Sequence, residues 1–335
     1  MQYRYLGRSG LRVSEICLGA MMFGGITDEA ASRHIIADAR DCGVNFIDTA
    51  DMYNKGESER VVGRAIKGER DSWVLATKVG NPMDDGPNQS GMSRKWIREA
   101  VHGSLIRLGT DYIDVLYMHK ADFNAPLEEM VLAFADLIHE GKIVYFAVSN
   151  FKAWRLAETV RLAQEAGIAG PVATQPLYNL VNREAEVEIL PSAAYFGVGT
   201  VCYSPLARGI LTGKYRQNVA PDSHSRAGRA DPRMMEAEWR PESLQVASEL
   251  AAYAESTGRK PSHFAQAWVM RNQLVTSTLV GPRTFEQWRD GIAALDCPWS
   301  ADDEAFCDQL VSPGKGSSLG PVDPHHPIEG RITHW

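Results

Sequence analysis

Asp48 and Tyr53 stand five residues apart in the stretch NFIDTADMYNKGESE, residues 45–59. The short apolar run Phe46–Ile47 reads as a buried strand, so a carboxylate and a phenol are delivered together at its end. Helix capping explains Thr49, Asp51 or Ser58, because a helical pattern opens at Glu57, but it gives Tyr53 no role. Two further apolar runs end in side chains that hold protons: WVLATK closes on Lys78 and DVLYMH on His119. Taken singly, the lysine reads as a snorkelling charge and the histidine as a satisfied core residue. Taken together, Asp, Tyr, Lys and His at neighbouring strand ends form a proton-transfer device. A free phenol has a pKa of about 10, too high for efficient transfer at neutral pH, and a nearby ammonium lowers an acidic group by ~1–3 units. Lys78 in turn needs a counter-charge to stay ionised in a desolvated site, and Asp48 is the candidate.

The elements that must bring these residues together are legible as an alternation of β-rich runs and amphipathic helical runs. The strands are expected to end near Gly24, Asp48, Lys78, His119, Ser149, Gln175, Tyr203 and Gly281. Between them lie helical stretches such as SRKWIREAVHGSLIRLG, which opens on Ser93 and closes on Gly109, and AWRLAETVRLAQEAG. Eight strand–helix units imply parallel pairing through crossover helices and predict a (β/α)8 TIM barrel, with residues 1–335 as a single domain. The opening YRYLGRSGLRVSE predicts an N-terminal β-hairpin that plugs the barrel floor. In such a barrel the functional residues lie at the C-terminal strand ends, where the four proton-capable side chains fall. Residues 207–242 are expected to form a long loop, and residues 312–335 an irregular C-terminal tail.

Composition narrows the function classes. The chain has 44% hydrophobic and 23% charged residues and a net charge of −7, which argues against nucleic-acid or membrane partners. It contains no run of 18 apolar residues. The five cysteines are irregularly spaced without a CxxC pair, which points to reduced thiols in a cytoplasmic protein. No metal is expected, and His325–His326 sit in a Pro-rich stretch without a partner cluster. GVGTVC at Gly197 precedes a strand where a dinucleotide fingerprint would open a helix, and GILTGKY is one residue short of a phosphate loop.

The segments GVNFIDTADMYNKGESE, KWIREAVHGSLIRLGTDYIDVLYMH, GKIVYFAVSNF, YSPLARGILTGKY and LVGPRTFEQWRD resemble those of the aldo-keto reductases, over nearly the whole chain. The resemblance implies an oxidoreductase transferring hydride between a nicotinamide cofactor and an aldehyde, a ketone or the corresponding alcohol. It implies Tyr53 as general acid/base, Lys78 and Asp48 as the groups that tune it, and His119 as the group that orients the carbonyl. It implies that Ser149, Asn150 and Gln175 hold the carboxamide, that Tyr203 stacks on the nicotinamide, and that Ser204, Leu206 and Lys214 follow the pyrophosphate. Arg283, Thr284, Gln287 and Asp290 then surround the adenosine end. Arg283 and Lys214 favour NADPH/NADP+ over NADH/NAD+, because they compensate a 2′-phosphate. Two positions depart from the pattern: Ala147 replaces a usual glycine and Gly291 a common asparagine.

The substrate side is read more coarsely. Met21, Met22, Phe23 and Met52, with residues 120–123, are expected to line an apolar pocket for a small carbonyl or alcohol substrate, and core packing explains the methionines equally well. A lysine-dependent aldolase using Lys78, and a regulatory subunit of the same fold, as in potassium-channel β subunits, are the alternatives. The tail is expected to fold over the barrel mouth, anchored by Trp335.

Overall fold

The computed structural model of the chain describes residues 1–215 and 219–318. Strands β1 (Tyr3–Tyr5) and β2 (Arg12–Ser14) pair antiparallel as the expected hairpin. They are followed by β3 (Ile16–Gly19), β4 (Phe46–Asp48), β5 (Val74–Val79), β6 (Ile113–Met118), β7 (Ile143–Ser149), β8 (Ala173–Gln175), β9 (Gly199–Cys202) and β10 (Ser277–Val280). These eight strands form a closed barrel in the order β10-β3-β4-β5-β6-β7-β8-β9, every pairing parallel. Helices α1 (Glu29–Asp41), α2 (Glu57–Ile66), α3 (Arg94–Leu108), α4 (Leu127–His139), α5 (Ala153–Glu165) and α6 (Ile189–Phe196) alternate with the strands up to β9. Then come α7 (Pro232–Ala237), α8 (Pro241–Ser256), α9 (Pro261–Arg271), α10 (Phe285–Ala293) and α11 (Ala301–Leu310). The fold is therefore the TIM barrel that the alternation predicts.

The chain divides into two compact units. Met1–Pro176, Glu188–Tyr203 and Gln273–Ile292 make the first, which holds the hairpin and all eight barrel strands. Its core includes Leu6 and Val13 of the hairpin, packed with Cys17, Phe46, Ala76, Val115, Tyr117, Ala147, Ala173 and Val201 from the barrel strands. The hairpin thus closes the floor with apolar side chains, and the methyl of Ala147 fills barrel interior where a glycine would leave a void. Leu177–Val187, Ser204–Asn272 and the chain from Ala293 make the second unit. There, Tyr253 stacks on Phe306 with centroids 3.9 Å apart, and Arg259 pairs with Asp303 inside a capping box built by Ser300.

The helix boundaries follow their punctuation. The Ser93 hydroxyl accepts from the Trp96 amide at the start of α3, and Gly109 ends that helix at φ 63°, in the left-handed region where a side chain is strained. Two expectations need correction. The first barrel strand ends at Gly19, not near Gly24, because the Phe23 amide bonds back to the Ala20 carbonyl and turns the chain. The stretch 207–242 is not one loop: it contains a 3-10 turn at Ala207–Thr212, all of α7 and the start of α8. The Asp231 carboxylate caps α7 by accepting from the Met234 amide, and Pro232 occupies its first turn.

The start of the tail is ordered: the Lys315 carbonyl accepts from the Arg183 amide, and the Ser317 amide donates to the Val181 carbonyl. Trp335, the expected cover of the barrel mouth and His325–His326 lie outside the described residues.

Candidate active site

Asp48 is the last residue of β4, Lys78 the next-to-last of β5, and His119 the first residue past β6. Parallel register sets Asp48 opposite Ala76 and Lys78 opposite Tyr117, so all three face the same end of the barrel. Tyr53 opens the 3-10 turn Tyr53–Gly56 after β4, a turn held by left-handed Asn54 and Lys55. The Asn54 amide donates to the carbonyls of Met21 and Phe23, which fixes this turn against the loop following β3.

The four residues come together. Lys78 has no solvent exposure and Asp48 only 2%, and they form a short, buried ion pair. The Lys78 ammonium also donates to the Thr49 carbonyl at 2.8 Å and to Tyr53 Oη at 3.4 Å. The second Asp48 oxygen accepts from Gln175 Nε2 at 3.0 Å. Each ammonium proton therefore has an acceptor and both carboxylate oxygens a donor, the condition under which a buried pair persists. The His119 ring lies edge-on to Tyr53, with centroids 5.9 Å apart at 83°.

The electrostatics decide which protonation states are present. Burial works to lower the Lys78 pKa, but Asp48 and Tyr53 outweigh it and hold the ammonium above its ordinary value. For Tyr53 burial is the largest effect; Lys78 lowers the pKa and Asp48 raises it, and the result lies above the ordinary 10.0. The sequence-level expectation that Lys78 depresses the phenol is thus right as a direction, yet desolvation exceeds it. Tyr53 rests neutral, its oxygen accepting from the Lys78 ammonium.

A chain of hydrogen bonds runs around the rim from this cluster. Asn150, at φ 59°, donates through Nδ2 to the His119 carbonyl (3.1 Å) and to Ser149 Oγ (3.0 Å). The Ser149 hydroxyl donates to the Gln175 carbonyl, and the Tyr203 hydroxyl donates to Asn150 Oδ1. Ser149, Asn150, Gln175 and Tyr203 are therefore one linked group, and Gln175 is joined directly to the Lys78–Asp48 pair. Arg283, Thr284 and Gln287 sit at the start of α10, where the Gln287 side chain accepts from the Arg283 amide and Thr284 Oγ1 from the Gln287 amide. Arg283 is half-buried and, among the described residues, has no carboxylate within ion-pair distance. Asp290 lies further along α10, and Gly291 is buried in the same helix.

Ser204, Leu206 and Lys214 belong to the second unit, in the segment that follows β9. Ser204 has a left-handed backbone and its carbonyl accepts from Asn179 Nδ2, while the Lys214 ammonium lies 5.0 Å from the Tyr215 ring centroid. Of the apolar candidates, Met52 is exposed and Met22 half-buried, but Phe23 is fully buried and packs as core.

The sequence reading misses a second layer of charge behind the tyrosine. Glu59 is fully buried on α2, pairs with Arg107 at 2.6 Å and accepts from Thr77 Oγ1 at 2.6 Å. Its signal was present in the spacing, since Glu59 shares a helix face with Val62 and Ile66. Asp51, also fully buried, has a pKa pushed up to about 8, by burial first and then by the Glu59 charge, against smaller opposing effects of the Met52 amide, Arg107 and Lys78.

A model of the aldo/keto reductase family matches residues 15–312. An uncharacterized oxidoreductase of Bacillus subtilis, YrpG, is 40% identical over 308 residues, covering 88% of this chain and 91% of that one. A putative voltage-gated potassium channel subunit beta of Schizosaccharomyces pombe is 36% identical, with 88% of each chain covered. An L-glyceraldehyde 3-phosphate reductase of Escherichia coli O157:H7 is 34% identical, with 94% of each covered. The chain belongs to the aldo/keto reductase family.

Asp51 carries a prediction for stability. Its folded pKa of about 8 exceeds the ordinary 3.8, so the folded state holds an extra proton between these values and wild-type stability falls as pH rises through that window. Asp51→Asn removes this loss. Its melting temperature relative to wild type is expected to climb from acid pH up to about 8 and then level off. A difference independent of pH in thermal melts contradicts the assignment.

Proposed function

We propose that the protein is an NADP-dependent aldo-keto reductase, interconverting an aldehyde or ketone with the corresponding alcohol, with Tyr53 as the general acid/base. The observation that carries this reading is the Lys78 ammonium, hydrogen-bonded at once to Asp48, the Thr49 carbonyl and Tyr53 Oη beside the His119 ring.

In the reducing direction the neutral Tyr53 hydroxyl donates its proton to the substrate oxygen. Lys78 stabilises the phenolate as it forms, and Asp48 with Gln175 keeps that ammonium charged and in place. His119, its carbonyl tied to Asn150, orients the substrate carbonyl toward Tyr53. In the oxidising direction the same phenolic oxygen accepts the alcohol proton. A bound nicotinamide cofactor supplies or accepts the hydride. The described residues fit such a group. Ser149, Asn150, Gln175 and the Tyr203 ring offer the carboxamide and stacking contacts. Arg283, a half-buried cation without a carboxylate partner at the start of α10, suits a phosphate together with that helix N-terminus. Arg283 is the reason to prefer NADPH to NADH, and Asp290 completes the adenosine end.

The raised Lys78 pKa counts against an aldolase, whose Schiff-base lysine must lose its proton. A second reading, a cofactor-binding channel subunit, is favoured by relatives of that name at 36% identity. Turnover separates the two. The free thiols of Cys17, Cys42, Cys202, Cys297 and Cys307 suit a cytoplasmic location, and no described helix is long and apolar enough to cross a membrane.

Tyr53→Phe tests the chemistry. Wild type is expected to oxidise NADPH in the presence of simple aldehydes, and the variant to be slower by about two orders of magnitude or more with cofactor affinity unchanged. Full activity in the variant sinks the mechanism, and wild type that binds cofactor without turnover selects the channel-subunit reading. Arg283→Ala tests the cofactor: fluorescence titration should show NADPH weakened by ~1.5–3 kcal/mol and NADH much less. Equal losses mean that Arg283 does not contact a 2′-phosphate.

A further inference from the structure

Arg155 is a buried cation for which the fold supplies no counter-charge. It lies in the first turn of α5, immediately after β7, and is 7% exposed. Its guanidinium carbon sits 4.7 Å from the ring centroids of Phe123 and Trp154 and 5.8 Å from that of Phe151. Arg155 Nε is sealed from solvent and has no hydrogen-bond acceptor. Among the described residues no carboxylate pairs with Arg155, nor with Lys120 or Lys152 on either side of it. The one acid of the neighbouring loop, Asp122, is engaged by the amides of Met92 and Asn124. Aromatic faces stabilise a guanidinium but accept none of its N–H groups, and a buried charge in that condition is costly unless a ligand completes it.

The backbone around Arg155 is open in the same sense. Lys152, the N-cap of α5, makes no capping hydrogen bond, and the first intrahelical bond runs from the Leu156 amide to the Lys152 carbonyl. The amides of residues 153–155 therefore have no partner in the helix, and the positive end of the α5 dipole coincides with the arginine. Phe151 and Trp154, whose rings lie against the guanidinium, belong to this same end of the helix. Stacking on ring faces leaves the edge of the guanidinium fork for a bidentate oxyanion.

The place in the barrel says what this anion belongs to. Phe123 lies four residues past His119, and Phe151 directly follows Asn150, whose amide donates to the His119 carbonyl. Arg155 thus flanks the histidine side of the rim, at β6 and β7. Arg283 follows β10, which lies opposite β6 in the ring of eight strands. Two separate cationic sites result, one for each side of the rim.

We propose that Arg155, with the open amides of the first turn of α5, binds the phosphate or carboxylate end of an anionic carbonyl substrate whose reactive carbonyl is held by Tyr53 and His119. This rests on the reductase reading and gives its substrate class: small aldehydes or ketones carrying a negative charge.

The test pairs aldehydes that differ in charge: glyceraldehyde 3-phosphate with glyceraldehyde, and succinic semialdehyde with butanal. Wild type is expected to favour the anionic member of at least one pair by about tenfold or more in kcat/KM, and the favoured pair tells phosphate from carboxylate. Arg155→Met, which keeps the stacking volume, should abolish that preference by raising KM for the anionic aldehyde alone. Arg155→Lys should restore part of it. No charge preference in wild type, or equal losses for charged and neutral aldehydes in Arg155→Met, overturns the proposal.

If no aldehyde is turned over, the reductase reading fails and the anion site is still decided by binding. Inorganic phosphate titrated at constant ionic strength should raise the melting temperature of wild type saturably and that of Arg155→Met markedly less, since Arg283 remains in both. A flat wild-type response, or the same rise in both proteins, overturns the site.

Discussion

The ion pair between Lys78 and Asp48 is the constraint on which the rest of the site depends. Two opposite charges with almost no solvent exposure cost several kcal/mol to desolvate, roughly, and the pair persists only where geometry and auxiliary hydrogen bonds compensate. Here they do. The ammonium is shared among Asp48, the Thr49 carbonyl and Tyr53 Oη, and the carboxylate takes a further donor from Gln175. One consequence is positional, because the phenol is drawn to a fixed charge at the barrel rim. Another is electrostatic. Burial raises the Tyr53 pKa, and the adjacent ammonium works against that rise.

The barrel makes this pair possible by placing adjacent strand ends side by side. Asp48, Lys78 and His119 come from β4, β5 and β6, neighbours in the ring, and Gln175 reaches Asp48 from β8. No local sequence segment could bring a donor from residue 175 to residue 48. Behind the tyrosine, Glu59, Arg107 and Thr77 form a second buried polar group, with Asp51 between the two layers in charge terms. Thr77 and Lys78 are consecutive on β5, so a single strand supports both layers through side chains on opposite faces.

Much of this is legible in the sequence. Strand ends at Asp48, Ser149 and Gln175 fall where expected, because short apolar runs buried on both faces stop abruptly at polar residues. Helix α3 is readable from Ser93 and Gly109 for the same local reasons. What the sequence hides is long-range or context-dependent. The first strand stops at Gly19 although the apolar run continues to Phe23, because a turn at Ala20 to Phe23 overrides hydrophobicity. Tyr53 looked like a phenol depressed by a lysine, and only its burial reveals that desolvation is the larger effect. The surroundings of Arg155 are hidden in the sequence, since one of the rings against it, Phe123, comes from the loop after another strand.

The central claim is that Lys78 and Tyr53 act as one unit, and a double-mutant cycle on the single-turnover hydride-transfer rate tests it most directly. Lys78→Met, Tyr53→Phe and the double variant would be compared at saturating cofactor, with melting curves to verify folding. Groups that act as a unit are strongly non-additive, so the double variant should lie within about threefold of Tyr53→Phe alone. A double variant slowed by the product of the two single losses would mean that the ammonium and the phenol act independently, and would contradict the account.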